Sequence, residues 1–161
     1  MQQPARIRIA TIDDADTIVA FNNAMAMETE GKRLDPALIG PGVRAVLRDA
    51  ARGFYLVAER DGRVVGQLMV TFEWSDWRNG WFWWIQSVFV EAGARRTGVY
   101  RALHAAVLER ASAAGDVCGV RLYVEHENVR AQSTYAAVGM SEAHYRLFEV
   151  DFVFGGGGRP K

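Results

Sequence analysis

The chain has 161 residues, of which 50% are hydrophobic, and its 19 basic and 19 acidic side chains cancel. This length supports one well-buried core and is short for two. Without a broad field of one charge, composition offers no support for binding to nucleic acid or to an anionic membrane. The single cysteine excludes an intrachain disulfide framework, and no stretch resembles a signal peptide or a membrane span, so we expect a cytoplasmic protein.

The first third of the chain predicts one strand followed by two helices. Apolar and charged side chains alternate over residues 6–10, as in a half-buried strand. The acidic residues 13–16 suit the first turn of a helix that ends near Gly31. A second helix is expected to begin at residues 35–36, where proline follows aspartate, and to end near Gly53.

From Phe54 onward the apolar period changes to that of strands. The Asp-Gly pair at residues 61–62 predicts a tight hairpin turn, and the Asn-Gly pair at residues 79–80 predicts a second turn. We expect a single domain over residues 1–154 and a flexible glycine-rich tail over residues 155–161. The predicted elements are strands over residues 54–59, 64–72 and 81–90, a helix over 99–113, a strand over 120–125, a helix over 129–138, and a final strand over Tyr145–Phe154.

The segment between the strand that ends at Val90 and the helix that starts at Val99 is the most informative in the chain. It contains the sequence Arg-Arg-Thr-Gly-Val-Tyr at residues 95–100. The first amides of a helix lack intrahelical acceptors and carry partial positive charge, so a basic glycine-containing turn at this place predicts a pyrophosphate site. The plain alternative is an ordinary solvated turn.

Two motifs give the chain a family resemblance. Val90 followed by Arg95-x-x-Gly98 resembles the acetyl-CoA-binding signature of the GNAT-type N-acetyltransferases, although Tyr100 departs from the small residue that usually ends it. Further on, Asn-x-x-Ala-x-x-x-Tyr-x-x-x-Gly over residues 128–139 resembles a second segment of the same superfamily. Each motif alone is weak, but two in the right order, each in strand-helix context, make a strong joint signal.

The resemblance implies a fold and an activity. The fold would be mixed α/β, in the order β-α-α-β-β-β-α-β-α-β, with a twisted mixed sheet flanked by helices. The activity would be transfer of an acetyl group from acetyl-CoA to the primary amine of a small molecule or peptide, by direct attack in a ternary complex. A homodimer is compatible with the family. We expect no metal, because the three histidines and one cysteine have no metal-ligand spacing.

The resemblance also implies roles for particular residues. The Val88 N–H would polarise the acetyl carbonyl, and Tyr135 would protonate the leaving thiolate. The Tyr135 hydroxyl is useful but not indispensable in this role, and a core tyrosine is the plain alternative. The implied cofactor-binding residues are Val88, Phe89, Val90, Arg95, Arg96, Thr97, Gly98, Val99, Tyr100, Arg101 and Asn128. For Asn128 a helix cap alone is the preferred explanation, although the two roles can coexist.

The general base is left open by the sequence. Gln86 stands where polyamine-type relatives carry a glutamate. Glu28 is the preferred candidate, because it lies between the first two predicted helices near the expected acceptor site, and loss of the amine proton to water is an equal alternative. The other candidate acids are Glu30, Glu73 and Glu125.

Other classes of function remain open beside the enzyme. Gln86 and Tyr100 would also suit a catalytically weak acyl-CoA-binding module. Five tryptophans within residues 74–84 form an aromatic cluster that suits a pocket for a cationic amine, a protein core or an interaction surface. Trp83 and Trp84 are adjacent in a strand and must face opposite sides of it.

Overall fold

A computed structural model describes residues 4–154 of the chain. The chain divides into two compact units, residues 1–126 and 127–161, and each is described by itself. The elements of the first unit are β1 (Arg6–Ile9), α1 (Ala15–Glu30), α2 (Pro36–Arg48), β2 (Phe54–Arg60), β3 (Arg63–Ser75), β4 (Gly80–Val90), α3 (Val99–Ala114) and β5 (Val117–Leu122); the second unit contains α4 (Val129–Ala137).

The first unit is built on one five-stranded mixed sheet in the order β1-β2-β3-β4-β5. The first four strands are antiparallel neighbours; β2, β3 and β4 follow one another through short connections, whereas α1 and α2 lie between β1 and β2. Strand β5 pairs with β4 in parallel, so the chain between them must cross over, and α3 lies in that connection.

Successive side chains of β2 point to opposite faces of the sheet, and a buried layer lies on each face. Tyr55 and Val57 face α1 and α2, whereas Leu56 and Ala58 face the opposite layer, which contains α3. Each face of the sheet is therefore covered by helix. The buried residues of the α3 layer are Leu56, Ala58, Val65, Leu68, Val70, Ile85, Ala94, Val99, Leu103 and Val107.

The two predicted turns are confirmed. Asp61 and Gly62 both have positive φ values, 51° and 72°, as a two-residue hairpin between β2 and β3 requires. Asn79 also has a positive φ, 47°, immediately before β4 begins. Trp83 packs against the α3 layer, while Trp84 lies on the opposite face of β4, as their adjacency in a strand predicts.

The predicted final strand over Tyr145–Phe154 is wrong. Within the described part of the second unit, residues 141–154 form no strand. The Asp151 carboxylate accepts hydrogen bonds from the amides of Val153 at 2.7 Å and Phe154 at 2.9 Å. This local turn uses the donors that a strand ladder would need, and the apolar side chains of the segment are exposed. The predicted tail over 155–161 lies outside the described residues.

Among residues 4–154, none of the helices has the length and hydrophobicity to cross a membrane.

Candidate active site

The loop between β4 and α3 has two residues in the left-handed backbone region. Arg96 and Gly98 both have positive φ values, 62° and 85°. Gly98 is the N-cap of α3, and its carbonyl accepts the first intrahelical bond from the Ala102 amide at 3.0 Å. As a glycine, the N-cap residue has no side chain with which to cap the helix. The first amides of α3 are therefore directed outward from the loop with the positive end of the helix dipole.

The guanidinium of Arg60, at the end of strand β2, is hydrogen-bonded to this loop. The Thr97 hydroxyl donates to the Ala94 carbonyl at 2.7 Å and accepts from Arg60 Nη2 at 3.0 Å. Arg60 is the last residue of β2 and was not singled out by the sequence analysis. Two further arginines, Arg96 and Arg101, are exposed at the same helix start. The guanidinium groups of Arg60, Arg96 and Arg101 thus lie at or beside this loop, together with that of Arg95.

Arg95 and Glu28, two predicted site residues from distant parts of the chain, bind each other. Arg95 Nη2 donates to both Glu28 carboxylate oxygens, at 2.9 and 2.8 Å, and Arg95 Nε donates to the Val90 carbonyl at 2.8 Å. The guanidinium also lies 5.6 Å from the centroid of the Phe89 ring. Arg95 therefore ties α1 to the end of β4, and both oxygens of the preferred candidate base are in an ion pair.

The other candidate acids are placed differently. Glu30 pairs with Lys32 on the exposed end of α1. The Glu73 carboxylate accepts a hydrogen bond from Trp84 Nε1 at 2.5 Å. Gln86, at the position where some relatives carry a glutamate, donates from Nε2 to the Thr71 hydroxyl at 2.6 Å.

The regular pairing of strand β4 with its two neighbours is interrupted just before this loop. Its pairing with β5 ends at Ile85, opposite Leu122, although β4 continues for five more residues. Its register with β3 shifts over the same stretch, so that Ser87 and Val88 together oppose one residue, Leu68. This is a β-bulge, and Ser87 has a positive φ of 51° within it. Backbone groups of β4 are consequently freed from parallel pairing beside the α3 start.

Aromatic and charged side chains cover the sheet face next to the bulge. The Trp84 and Tyr123 rings stack with centroids 4.4 Å apart. The Arg121 guanidinium lies 3.5 Å from the centroid of the Phe82 ring and 3.5 Å from a Glu73 oxygen. We call this surface the Trp84 face. It combines the aromatic rings of Phe82, Trp84 and Tyr123 with the Glu73 carboxylate and the Arg121 guanidinium.

Asn128 and Tyr135 lie in the second unit, on α4. The Asn128 side chain caps the helix by accepting from the Ala131 amide at 3.1 Å, as the capping interpretation expects. Burial raises the pKa of the Tyr135 hydroxyl above its usual value of 10. Tyr135 therefore stays protonated at neutral pH, which is the state that a proton donor needs.

Tyr100, one of the predicted cofactor-binding residues, lies beside His104 on α3. Tyr100 is half-buried on α3, and its ring lies 5.9 Å from that of His104. Burial lowers the pKa of His104, which is 4% exposed. Among the described residues, no group of three or more His, Cys, Asp or Glu side chains could hold a metal ion.

The comparisons with known proteins identify the family of the chain. Residues 19–140 match the Acetyltransferase (GNAT) family. The chain therefore belongs to that family and is an acetyltransferase with its mixed α/β fold. No curated protein sequence matches the chain.

Solved structures are similar over nearly the whole length of the chain. A possible acetyltransferase from Clostridium difficile 630 is 43% identical, with a TM-score of 0.86 over 94% of this chain and 99% of that one. A ribosomal-protein-alanine N-acetyltransferase from Brucella melitensis biovar Abortus 2308 is 15% identical, with a TM-score of 0.74 over 92% and 99%. An aminoglycoside acetyltransferase from an uncultured soil metagenomic sample is 14% identical, with a TM-score of 0.75 over 91% and 95%. The last two share the fold.

Proposed function

We propose that this protein transfers the acetyl group of acetyl-CoA to a primary amine by direct attack in a ternary complex. The observation that carries the proposal is the junction of β4 and α3, where the bulge at residues 87–88 lies one short loop from an uncapped helix start. The thioester would lie along the bulge and the pyrophosphate on the helix start.

The pyrophosphate would be held mainly by backbone. The amides of Val99, Tyr100 and Arg101 open α3, and the left-handed Gly98 has open space where a Cβ would lie, so a phosphate can approach closely. The exposed Arg96 and Arg101 would add charge. Arg95 takes a different part in this proposal, because its bonds to Glu28 and Val90 shape the loop.

Two proton transfers accompany the reaction. The amine must lose a proton, and because Glu28 is already bound to Arg95, loss to water is the simpler route. The departing thiolate would take a proton from Tyr135. On reference pKa values of about 8.5 for a thiol and 10 for a phenol, this transfer is uphill by about 2 kcal/mol, and the raised pKa of Tyr135 adds to that cost, so Tyr135 assists without being indispensable.

The acceptor is a primary amine of a small molecule or peptide. The Trp84 face suits the hydrophobic part of such a molecule, because stacked aromatic rings there are half-exposed beside Glu73. The similar folds named above include an aminoglycoside acetyltransferase and a protein-alanine acetyltransferase. Aminoglycosides and alanine-terminated peptides therefore belong in the first panel of acceptors.

Calorimetry with acetyl-CoA tests the binding half of the proposal. We expect the wild-type protein to bind, and Arg96→Glu combined with Arg101→Glu to weaken binding at least tenfold, since two favourable charges become repulsive. Arg110→Glu is the matched control, because Arg110 is exposed on the same helix at its opposite end. Equal affinities for all three proteins would contradict a pyrophosphate site at the α3 start.

Release of free thiol from acetyl-CoA over the amine panel tests the catalytic half. Turnover with any amine supports the enzyme. The alternative function is a catalytically weak acyl-CoA-binding module, which Gln86 and the engagement of Glu28 by Arg95 favour. Tight binding of acetyl-CoA without thiol release over the whole panel would support that module.

A further inference from the structure

One polar side chain is fully buried in the middle of the sheet. Gln67 of β3 is 0% exposed, in a strand whose other interior residues are aliphatic. Its Nε2 donates to Asn22 Oδ1 of α1 at 3.1 Å and to the Ser87 backbone carbonyl at 3.2 Å. The second of these bonds reaches the bulge residue of β4, on the neighbouring strand.

The orientation of the Gln67 amide is fixed by its neighbours. A backbone carbonyl can only accept, so the NH₂ of Gln67 must face Ser87. The same Gln67 NH₂ donates to the Asn22 side-chain oxygen, which fixes the orientation of the Asn22 amide. The Asn22 NH₂ then faces the Tyr55 hydroxyl, to which Asn22 is also hydrogen-bonded. Gln67 Oε1 is left buried with no hydrogen-bond partner within the described structure. A buried acceptor without a partner is unfavourable, and an aliphatic side chain would avoid it.

The bond to Ser87 determines where the next amide points. The peptide between Ser87 and Val88 is trans, so its C=O and N–H point in opposite directions. When Gln67 holds the carbonyl toward β3, the Val88 N–H points away from β3. On that side β4 has already separated from β5, whose pairing ends at Ile85.

We infer that Gln67 is a positioning residue for acyl transfer: its amide holds the 87–88 peptide so that the Val88 N–H faces the thioester carbonyl. This inference rests on the proposed function. It gives β3, which carries Gln67, and α1, which carries Asn22, a part in the reaction without contact with the substrate. Ser87 has a positive φ of 51°, a conformation that serine rarely adopts, and the Gln67 bond is one contact that holds it. Gln67 Oε1 has no hydrogen-bond partner within the described structure, which is consistent with a glutamine that serves through its NH₂ donor.

Kinetics of Gln67→Met provide the first test. Methionine has similar length and no hydrogen-bond donor, so the carbonyl loses its anchor while the core stays filled. With acetyl-CoA and the fastest amine of the panel, we expect kcat to fall roughly 10- to 100-fold, less than for complete loss of an oxyanion donor, and KM for acetyl-CoA to change less than about threefold. Asn22→Leu is the control: it removes the other Gln67 bond and leaves the one to Ser87, so a smaller fall in kcat is expected.

Spectroscopy provides a readout that does not depend on turnover. Ser87–Val88 is the single Ser-Val pair in the chain. Labelling serine with ¹³C at the carbonyl and valine with ¹⁵N therefore gives one carbonyl-to-amide NMR signal, which reports this peptide alone. We expect acetyl-CoA to shift the amide proton in the wild type, and Gln67→Met both to move the carbonyl resonance and to weaken that response.

The outcomes separate the inference from the function on which it rests. If the wild type releases thiol and Gln67→Met, folded by thermal melt, keeps wild-type kcat or a wild-type amide response, the inference is overturned and the enzyme stands. If Asn22→Leu and Gln67→Met lower the melting temperature and kcat in parallel, the role is structural and the inference is again overturned. If wild-type protein neither releases thiol nor shows any shift with acetyl-CoA, the proposed function fails, and the inference fails with it.

Discussion

An ion pair between Arg8 and Asp14 anchors the start of the first helix. Arg8 Nη1 and Nη2 donate to the two Asp14 oxygens at 2.8 and 2.9 Å, and the Thr11 amide donates to the same carboxylate at 2.7 Å. Asp14 is buried. The hydrogen bonds from Arg8, with a smaller contribution from Thr11, hold the pKa of Asp14 below its usual range despite burial.

Asp14→Asn should destabilise the fold in a pH-dependent way. The carboxyl pKa is lower in the folded state than in the unfolded one, so its contribution is fully present above the unfolded pKa and is lost as pH falls through the folded pKa. At neutral pH we expect a loss of roughly 1–3 kcal/mol in urea denaturation, shrinking as the pH falls below about 4. A difference that stayed constant with pH would show that the charge of Asp14 contributes nothing.

Tyr135→Phe tests the proposed proton donor. We expect kcat for thiol release to fall about 10²-fold, the low end for a general acid, because the thiolate can leave unaided. The affinity for CoA, measured by calorimetry, should stay nearly unchanged. Tyr123→Phe is the control, since Tyr123 contacts Trp84 through its ring face. An unchanged rate of thiol release in Tyr135→Phe would remove Tyr135 from the mechanism.

At the scale of elements, hydrophobic periodicity located the strands and helices well but not their spatial neighbours. The helix at Val99 and the hairpin at residues 61–62 follow from local chemistry that is visible in the sequence. Arg60 could not be connected with Thr97 in this way, because 37 residues separate them and the strand order brings them together. Gln67 was missed for a related reason: its partners Asn22 and Ser87 lie on different elements.

Glu28→Gln tests the tie between α1 and the β4–α3 loop. Because both Glu28 oxygens are bound to Arg95, we expect kcat to fall less than about tenfold, well below the loss expected for a general base. The pair is partly exposed, so urea denaturation should show a change within about 1 kcal/mol. A fall of 100-fold or more, with loss of the acidic limb of the pH–rate profile, would instead make Glu28 the base.

At the scale of the whole molecule, the sequence predicted the class of enzyme better than its C-terminal structure. The family follows from motifs whose chemistry is local, namely a helix start and its loop. The apolar residues of Tyr145–Phe154 are typical of a strand, but composition of this kind indicates only that the segment could pack in a sheet. A strand also needs a neighbour for its backbone, and the composition contains no information on whether one is available. In this segment the turn at Asp151 takes up backbone donors.

The exposed C-terminal segment predicts self-association. Phe148 is 90% and Phe152 93% exposed, within a run of seven large apolar side chains of which each is at least 67% exposed. Exposed apolar area of this kind gains free energy when another molecule covers it, at about 25 cal/mol per Å². We expect light scattering after size exclusion to give a mass that rises with protein concentration, and Phe148→Ser with Phe152→Ser to keep the monomer mass. Trp77→Ser is the control, since Trp77 is also 90% exposed but lies in the β3–β4 loop, outside the C-terminal segment, and its loss should leave association unchanged. A wild-type protein that stays monomeric at every concentration would show that this segment is not an association surface.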